Sequence, residues 1–392
     1  MQPTRQANVT SIRRDAWIEV DLNCLEHNLK VLRDGINQIY IEASLQKTKV
    51  APPQLMAVVK GDAYGHGAVQ LAQLFAASHV DYLGVASIDE GRWIREGGVN
   101  LPILILSPTP AWAIDSALEN SLDITVSTEK QLENIRQKAK SMGRLAAIHL
   151  KVDTGMHRLG VSLERLPEIL QSIHKDQSLK LVGVWSHLAN ASQEESVIRQ
   201  KKLFDQAVEL TRPLFPGAIF HLASSEATTR FPECHYNMVR VGLYLYGLEP
   251  NTVSNTLQPA LSVRARINHT NAIEQGQRVG YGHTWQAERP SRLAAISIGY
   301  ADGVDRGLSN QIKGLLMGQV INQVGRISMD QMLFDITDVP EAEEGDVITL
   351  IGSEGQNSLY LSEWAVCLDT ITYELACRLR VRLPRIYTRN KK

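Results

Sequence analysis

From residue 55 onward the chain alternates short apolar runs with stretches whose apolar residues recur at helical spacing. The runs are LMAVVK (55–60), YLGVAS (82–87), PILIL (102–106), DITVS (123–127), AAIHLKVD (146–153), LVGVWSH (181–187), AIFHLAS (218–224) and MVRVGLYLYG (238–247). Between most of them lie helical patterns such as AVQLAQLFAAS, EKQLENIRQKAKSM and RLPEILQSIHKD. Continuous apolar runs, separated by amphipathic helices and without an internal repeat, predict parallel strands buried on both faces. The number of runs fits a (β/α)8 barrel of the TIM type, with an open doubly wound sheet as the runner-up.

After Gly247 the texture changes. Residues 250–259 read as a polar linker, and the rest is mainly short alternating strands: LSVRARINHT, AAISIGY, QVINQVGRISM, MLFDIT and DVITLIG. Helical pattern returns only near LSEWAVCL and ITYELACRL. The expected organisation is therefore a mobile tail over 1–14, an α/β barrel over 15–255 and a mainly β domain over 256–392. The alternating run WIEVDL (17–22) and the helical LNCLEHNLKVLRDGI precede the first barrel strand by a polar, proline-tipped excursion, so that first strand is free to join the second domain.

The chain of 392 residues has 41 basic and 42 acidic side chains, which leaves no electrostatic case for nucleic acid or an anionic membrane. Cys24, Cys234, Cys367 and Cys377 show no metal-site or CxxC spacing and are expected to be buried free thiols of a reducing cytoplasm; no metal is implied. There is no apolar signal segment at the start and no run long enough to span a bilayer.

The chemical centre is AVVKGDAYGHG (57–67), where an apolar strand ends in Lys60 and glycines follow. A lysine on a dry strand end loses its proton more readily and becomes a Schiff-base nucleophile; the alternative is a solvated lysine in an ordinary loop. Barrel enzymes place catalytic groups at the carboxyl ends of strands and hold phosphate on the last two βα loops. Those ends carry Lys60, Lys151, Arg158, His187, Ser225, Arg240, Gly242 and Leu243. A strand-end lysine beside a phosphate cradle is a layout used with pyridoxal phosphate.

Seven separated motifs, AVVKGDAYGHG, KVDTGMHRLG, HLASSEAT, NMVRVGLYLYG, VGYGHT, SIGYADG and VGRISMDQ, occur in an order that resembles the pyridoxal 5'-phosphate-dependent alanine racemase family from Trp17 to Tyr387. The resemblance implies a barrel plus β domain, a head-to-tail homodimer with shared sites, cytoplasmic location, and interconversion of L- and D-alanine that supplies D-alanine for peptidoglycan. It implies that Lys60 holds the cofactor as an aldimine and serves one face of the substrate, while Tyr281 of the second subunit serves the other. A phenol with a pKa near 10 needs help as a base, which His187 and, behind it, Arg240 would provide. Arg240 would meet the pyridine nitrogen as a donor that cannot accept a proton. Tyr64, Ser225, Gly242 and Leu243 would contact phosphate. Arg158 and, from the second subunit, the backbone N–H of Met329 would hold the substrate carboxylate. Lys151 would support Arg158, either carbamylated or beside a bound anion, and Tyr300 and Arg306, with Asp302, would line the mouth.

Two positions depart from the family pattern: Val381 stands where a phosphate-contacting tyrosine is common, and Ser224 where asparagine is common. His66, His149, His221 and His283 are expected to be structural or solvated. A serine or broader-specificity racemase remains an alternative, as do a barrel decarboxylase and, in another class, a barrel-only cofactor carrier; Tyr281 in GYGHT favours racemisation over the decarboxylase, and the second domain argues against the carrier.

Overall fold

The computed structural model describes residues 14–45, 51–248, 256–379 and 382–389. Most of the expected tail, the first part of the expected linker (250–255), and Val381 lie outside the described residues. The described chain divides into two compact units, one from Leu29–Ala63 and Ala68–Leu245, the other drawing on Met1–Asn28, Tyr64–Gly67 and Tyr246–Lys392.

The strands in chain order begin with β1 (Ala16–Asp21), followed by the eight strands of the first unit. These are β2 (Gln54–Val58), β3 (Tyr82–Val85), β4 (Ile103–Ile105), β5 (Asp123–Val126), β6 (Ala146–Lys151), β7 (Leu179–Trp185), β8 (Ile219–His221) and β9 (Met238–Val241). They pair in parallel in the order β8-β7-β6-β5-β4-β3-β2-β9. Across the seam between β8 and β9, Asn237 N–H donates to Phe220 O at 2.9 Å and Arg240 N–H to Ala223 O at 3.1 Å. The eight apolar runs are these eight strands, a TIM-type barrel and not the open sheet. Its helices follow the amphipathic stretches closely: Ala68–Ala77, Glu129–Met142 and Leu166–His174 each cover a predicted pattern.

One part of the barrel interior is apolar, with Met56, Tyr82, Leu104 and Met238 packed together. On β5, β6 and β8, and further along β9, the buried residues turn polar and include Asp123, Thr125, His149, Lys151, His221 and Arg240. Barrel interiors are usually filled by branched apolar side chains, so a polar interior marks a constraint other than packing.

The second unit is built on a nine-stranded sheet. Its strands after β9 are β10 (Leu261–Ile273), a two-stranded ribbon β11 (Arg278–Val279) and β12 (Trp285–Gln286), then β13 (Ser291–Ile296), β14 (Lys313–Leu316), β15 (Gln319–Val324), β16 (Met332–Asp335), β17 (Val347–Glu354), β18 (Asn357–Leu359) and β19 (Arg385–Thr388). The sheet order is β18-β17-β14-β15-β16-β13-β10-β1-β19. The first strand of the chain thus belongs to this sheet, antiparallel to β10 with Ile18 opposite Val263 and parallel to β19 with Ile18 opposite Arg385.

All four cysteines are free thiols, but only Cys234 is buried; Cys24 and Cys377 are half-buried and Cys367 is exposed, which corrects the expectation for three of them. Among the described residues no helix is long and apolar enough to cross a membrane.

Candidate active site

Lys60 follows β2 and opens a single turn of left-handed backbone. Gly61, Asp62, Ala63 and Tyr64 have φ of 64°, 57°, 54° and 52°. Side chains resist this region at about 1–2 kcal/mol per non-glycine residue, so the turn persists because its surroundings hold it. Val59 O accepts Ala63 N–H at 2.8 Å, and Asp62 Oδ1 accepts Ala68 N–H at 2.8 Å. The main clamp is Glu90: one carboxylate oxygen accepts Gly61 N–H at 2.7 Å and the other Ala86 N–H at 2.7 Å. Sequence reasoning missed Glu90. Its available signal is the Ser87-x-x-Glu90 spacing of a helix start, in which Ser87 does accept Glu90 N–H. Here the glutamate reaches beyond its own cap to the segment bearing Lys60.

Lys60 itself is exposed. Burial therefore does not supply the desolvation expected of a dry strand-end lysine, and that reading is corrected. The lysine that satisfies it is Lys151 at the end of β6. Its side chain is buried, its Nζ has no hydrogen-bond partner, and it lies 3.4 Å from the centroid of the Trp185 ring. Burial first, then the positive charges of Arg240, Arg158 and Lys60, pull its pKa down to about 6. Above that pH the amine is neutral, so its contact with the indole is not a cation–π pair at neutrality. The same charges, led again by burial and Arg240, hold His187 well below 6.5. The effect on both groups places Lys60, Lys151, Arg158, His187 and Arg240 in one electrostatic cluster at the ends of β2, β6, β7 and β9.

The Lys151 shift has a testable sign. The unfolded chain binds a proton on this lysine up to its ordinary pKa near 10.5, whereas the folded chain releases it above about 6. Between those values the unfolded state holds the extra proton, so folding stability from this group rises with pH, with a slope of about 1.4 kcal/mol per unit. Lys151→Met is expected to remove that slope between about pH 6 and 10 and to stabilise the fold at pH 7 by a few kcal/mol, measured by urea unfolding in buffer free of carbon dioxide. Parallel stability–pH curves for the two proteins would refute a neutral Lys151.

Arg240, buried on β9, spends its two terminal nitrogens entirely inside the barrel. One donates to His221 O at 2.9 Å and His221 Nδ1 at 3.1 Å; the other donates to Ser186 O at 2.8 Å, Leu222 O at 3.0 Å and His187 Nδ1 at 3.2 Å. A guanidinium has no acceptor, so His187 Nδ1 must accept, which puts the imidazole proton on Nε2. Burial pulls Arg240 down to about 9, still on the charged side of neutrality. The expected network around His187 therefore has one cation, Arg240, and a neutral histidine.

At the ends of β8 and β9, Ser225 Oγ accepts Gly242 N–H at 3.0 Å, so these two expected phosphate contacts are adjacent, with buried Leu243 next in sequence. Ser224 makes no side-chain cap to the helix Ser225–Arg230.

The second unit gathers other expected residues on neighbouring loops. Tyr281 follows Gly280, whose φ is 69°, and is 72% exposed. Ala301 N–H donates to Met329 O at 3.0 Å and Tyr300 N–H to Ser328 O at 3.0 Å, so the Tyr300 and Met329 loops are laced together; both side chains are exposed, as is Arg306. A Cβ on Gly299 would lie 2.3 Å from Ser328 O, so this approach requires glycine. Asp302 does not line a mouth. Its buried carboxylate accepts Gly299 N–H at 3.0 Å and pairs with Arg14 and Arg382, a structural role. Tyr64 is half-buried among Tyr246 and Tyr373, and burial pushes its phenol pKa up. Of the four histidines expected to be structural or solvated, His66, His149 and His221 are buried and His283 is exposed.

A parallel barrel with lysines, an arginine, a histidine and an N–H/hydroxyl pair at its strand ends, joined to an antiparallel β unit, defines a two-domain barrel enzyme equipped for amine chemistry. Residues 20–250 match the alanine racemase N-terminal domain and residues 260–387 the alanine racemase C-terminal domain. The alanine racemase of Nostoc sp. is 39% identical over 95% of both chains, and that of Synechocystis sp. 38% identical over 96% of this chain and 99% of its own. Among solved structures, the alanine racemase of Clostridium difficile 630 superposes with a TM-score of 0.87 at 32% identity, covering 97% of each chain. That of Bacillus anthracis with bound L-Ala-P superposes with a TM-score of 0.86 at 31% identity over the same shares. The chain belongs to the alanine racemase family.

Proposed function

We propose that this chain interconverts L-alanine and D-alanine with pyridoxal 5'-phosphate, acting in the cytoplasm as a head-to-tail homodimer and supplying D-alanine for peptidoglycan. The observation that carries the reading is the cationic cluster at the barrel strand ends, in which the strand-end Lys60 and the buried Arg240, which can only donate, both act on His187 and Lys151. The donor set suits the cofactor: Lys60 offers an amine for its aldehyde, Ser225 and Gly242 with Leu243 and Tyr64 offer hydroxyl and N–H groups for its phosphate, and Arg240 would meet its ring nitrogen by sharing one of the N–H groups it also gives to the barrel. When bound, the cofactor withdraws electrons from the substrate's α-carbon and so acidifies the α-hydrogen.

The remaining work falls to side chains. Inverting a centre requires a proton carrier on each face. Lys60 serves one face and Tyr281 of the partner subunit the other; a tyrosine 72% exposed in the single chain is suited to insertion into a neighbour. Arg158 and the backbone N–H of Met329 of the partner subunit bind the carboxylate, and Tyr300 and Arg306 line the approach. A neutral Lys151 amid three cations is poised to react with carbon dioxide: the amine nitrogen bonds to carbon and a proton leaves, so a carbamate anion replaces an uncharged amine and steadies Arg158.

Incubation of the purified, cofactor-loaded protein with L-alanine in deuterated water tests the reading. D-alanine carrying deuterium at the α-carbon is expected. Faster turnover of L-serine would move the assignment to the broader racemases, release of carbon dioxide would indicate a decarboxylase, and inertness a carrier.

A further inference from the structure

The polar side chains inside the barrel form one continuous chain. Arg240 donates to His221 Nδ1 at 3.1 Å; His221 Nε2 lies 3.0 Å from His149 Nδ1; and His149 Nε2 lies 3.3 Å from Asp123 Oδ2. Tyr82 donates its hydroxyl to the same Asp123 oxygen. Both imidazoles are fully buried, and the Trp185 ring stacks on His221 at 5.7 Å with the planes 3° apart. The order of protons along this chain is forced. A guanidinium only donates, so His221 Nδ1 accepts and its proton sits on Nε2. That proton is given to His149 Nδ1, whose own proton must therefore sit on Nε2, where the Tyr82 oxygen accepts it at 3.3 Å while the same hydroxyl donates onward to Asp123. Each end of the chain demands the same polarity. No ion pair joins Arg240 directly to a carboxylate among the described residues; Asp123 is the acid to which its hydrogen bonds lead.

We propose that Asp123, Tyr82, His149 and His221 form a one-way hydrogen-bonded relay that fixes the orientation of the Arg240 guanidinium from inside the barrel, making them positioning residues for the racemisation. The proposal rests on the reading that Arg240 faces the cofactor. A guanidinium held by three carbonyls and His187 Nδ1 could still rock about its long side chain. The stacked His221, locked in one tautomer by His149 and Asp123, removes that freedom, as partners behind a functional group commonly do.

The wild-type holoenzyme, labelled with 15N-histidine and observed by solid-state NMR without substrate, decides the polarity. His149 and His221 are both expected to be neutral with the proton on Nε2. A proton on Nδ1 of either ring, or a doubly protonated ring, would overturn the relay, and this readout does not depend on what reaction the enzyme catalyses. Asp123→Asn then tests transmission. The nitrogen resonances of His221, which Asp123 does not touch, are expected to move, and kcat to fall about ten- to a hundredfold with KM within a few-fold of wild type. Thr125→Val, a buried replacement on the same strand that makes none of these hydrogen bonds, is the packing control and should change neither. Unmoved His221 resonances, or an unchanged kcat, in Asp123→Asn would also overturn the proposal, while failure to form D-alanine in the wild type would count against the function and not against the relay.

Discussion

Mixed dimers of Lys60→Ala and Tyr281→Phe should recover activity that neither variant shows alone. Each single variant lacks the proton carrier for one face, and such groups contribute about 10²- to 10⁴-fold. Lys60→Ala also loses the amine that would hold the cofactor, so its loss should reach the upper end or beyond in both directions. Tyr281→Phe should be lopsided, with exchange of one enantiomer's α-hydrogen collapsing far more than the other's, because the lysine still serves its own face. If the sites are shared across a two-fold axis, a mixed dimer contains one site with both native carriers and one with neither. Random reassortment of equal amounts makes half of the dimers mixed, so recovery should approach about a quarter of wild-type activity. With both carriers drawn from one chain, every site in every dimer would keep a defect and no recovery would occur. Racemisation assays before and after subunit exchange, with native mass spectrometry to prove that mixed dimers formed, separate the two arrangements. Equal and small losses for Tyr281→Phe in both directions would remove it from the proton-carrying role.

The barrel was legible because strands buried on both faces leave unbroken apolar runs, and because its helices carry a clear apolar stripe. The β unit was less so. β14 and β18 are only 4 and 3 residues long, and β14 contains Gly314, whose missing Cβ leaves room for Phe334 and Ile348. Such segments are too short to show a period. The left-handed turn after Lys60 was equally hidden: Gly61 and Gly65 advertise positive φ, but Asp62, Ala63 and Tyr64 do not, and what holds them there is Glu90, from the helix Ile88–Glu96.

The site divides along the same line. Lys60, Lys151, His187, Ser225 and Arg240 could be read because they stand at strand ends, where a barrel presents its chemistry. Which lysine is desolvated could not, since burial depends on neighbours such as Trp185 from the next strand. Asp123, His149 and His221 sit within strands or at a strand's first or last residue, and there alternation says only that a side chain faces in or out. A signal was nonetheless present: Asp123 and Thr125, then His149 and Lys151, are polar residues two apart on the buried face of their strands. Polar pairs at period two inside a parallel barrel point to a constraint other than packing: Asp123 and His149 are tied into a network, while Thr125 Oγ1 and Lys151 Nζ are left without a hydrogen-bond partner.

Replacing Arg240 by methionine should lower the unfolding free energy by about 3–5 kcal/mol, although it removes a buried charge. Two effects oppose each other. Desolvation of the guanidinium is real, since burial alone pulls its pKa down to about 9, and losing it favours methionine. Against that, the carbonyls of Ser186 and Leu222 and the Nδ1 atoms of His187 and His221 lose their donor, while His221 O keeps the Ser186 N–H at 3.3 Å. An orphaned buried acceptor costs about 1–3 kcal/mol, so four of them outweigh the relief even if water reaches one. The variant should also respond differently to acid. The charge of Arg240 is the second cause, after burial, of the lowered pKa of both His187 and His221. Without it both values rise toward 6.5, the folded state takes up protons sooner as pH falls, and less stability is lost on acidification through that range than in wild type. Arg240→Lys, which keeps a charge but has three donors in place of a planar fork, should fall between the two in stability. Chemical denaturation across pH 5 to 8 measures both effects. A methionine variant as stable as wild type would mean that these carbonyls and imidazoles find other donors, and that the guanidinium is held in place for its chemistry alone.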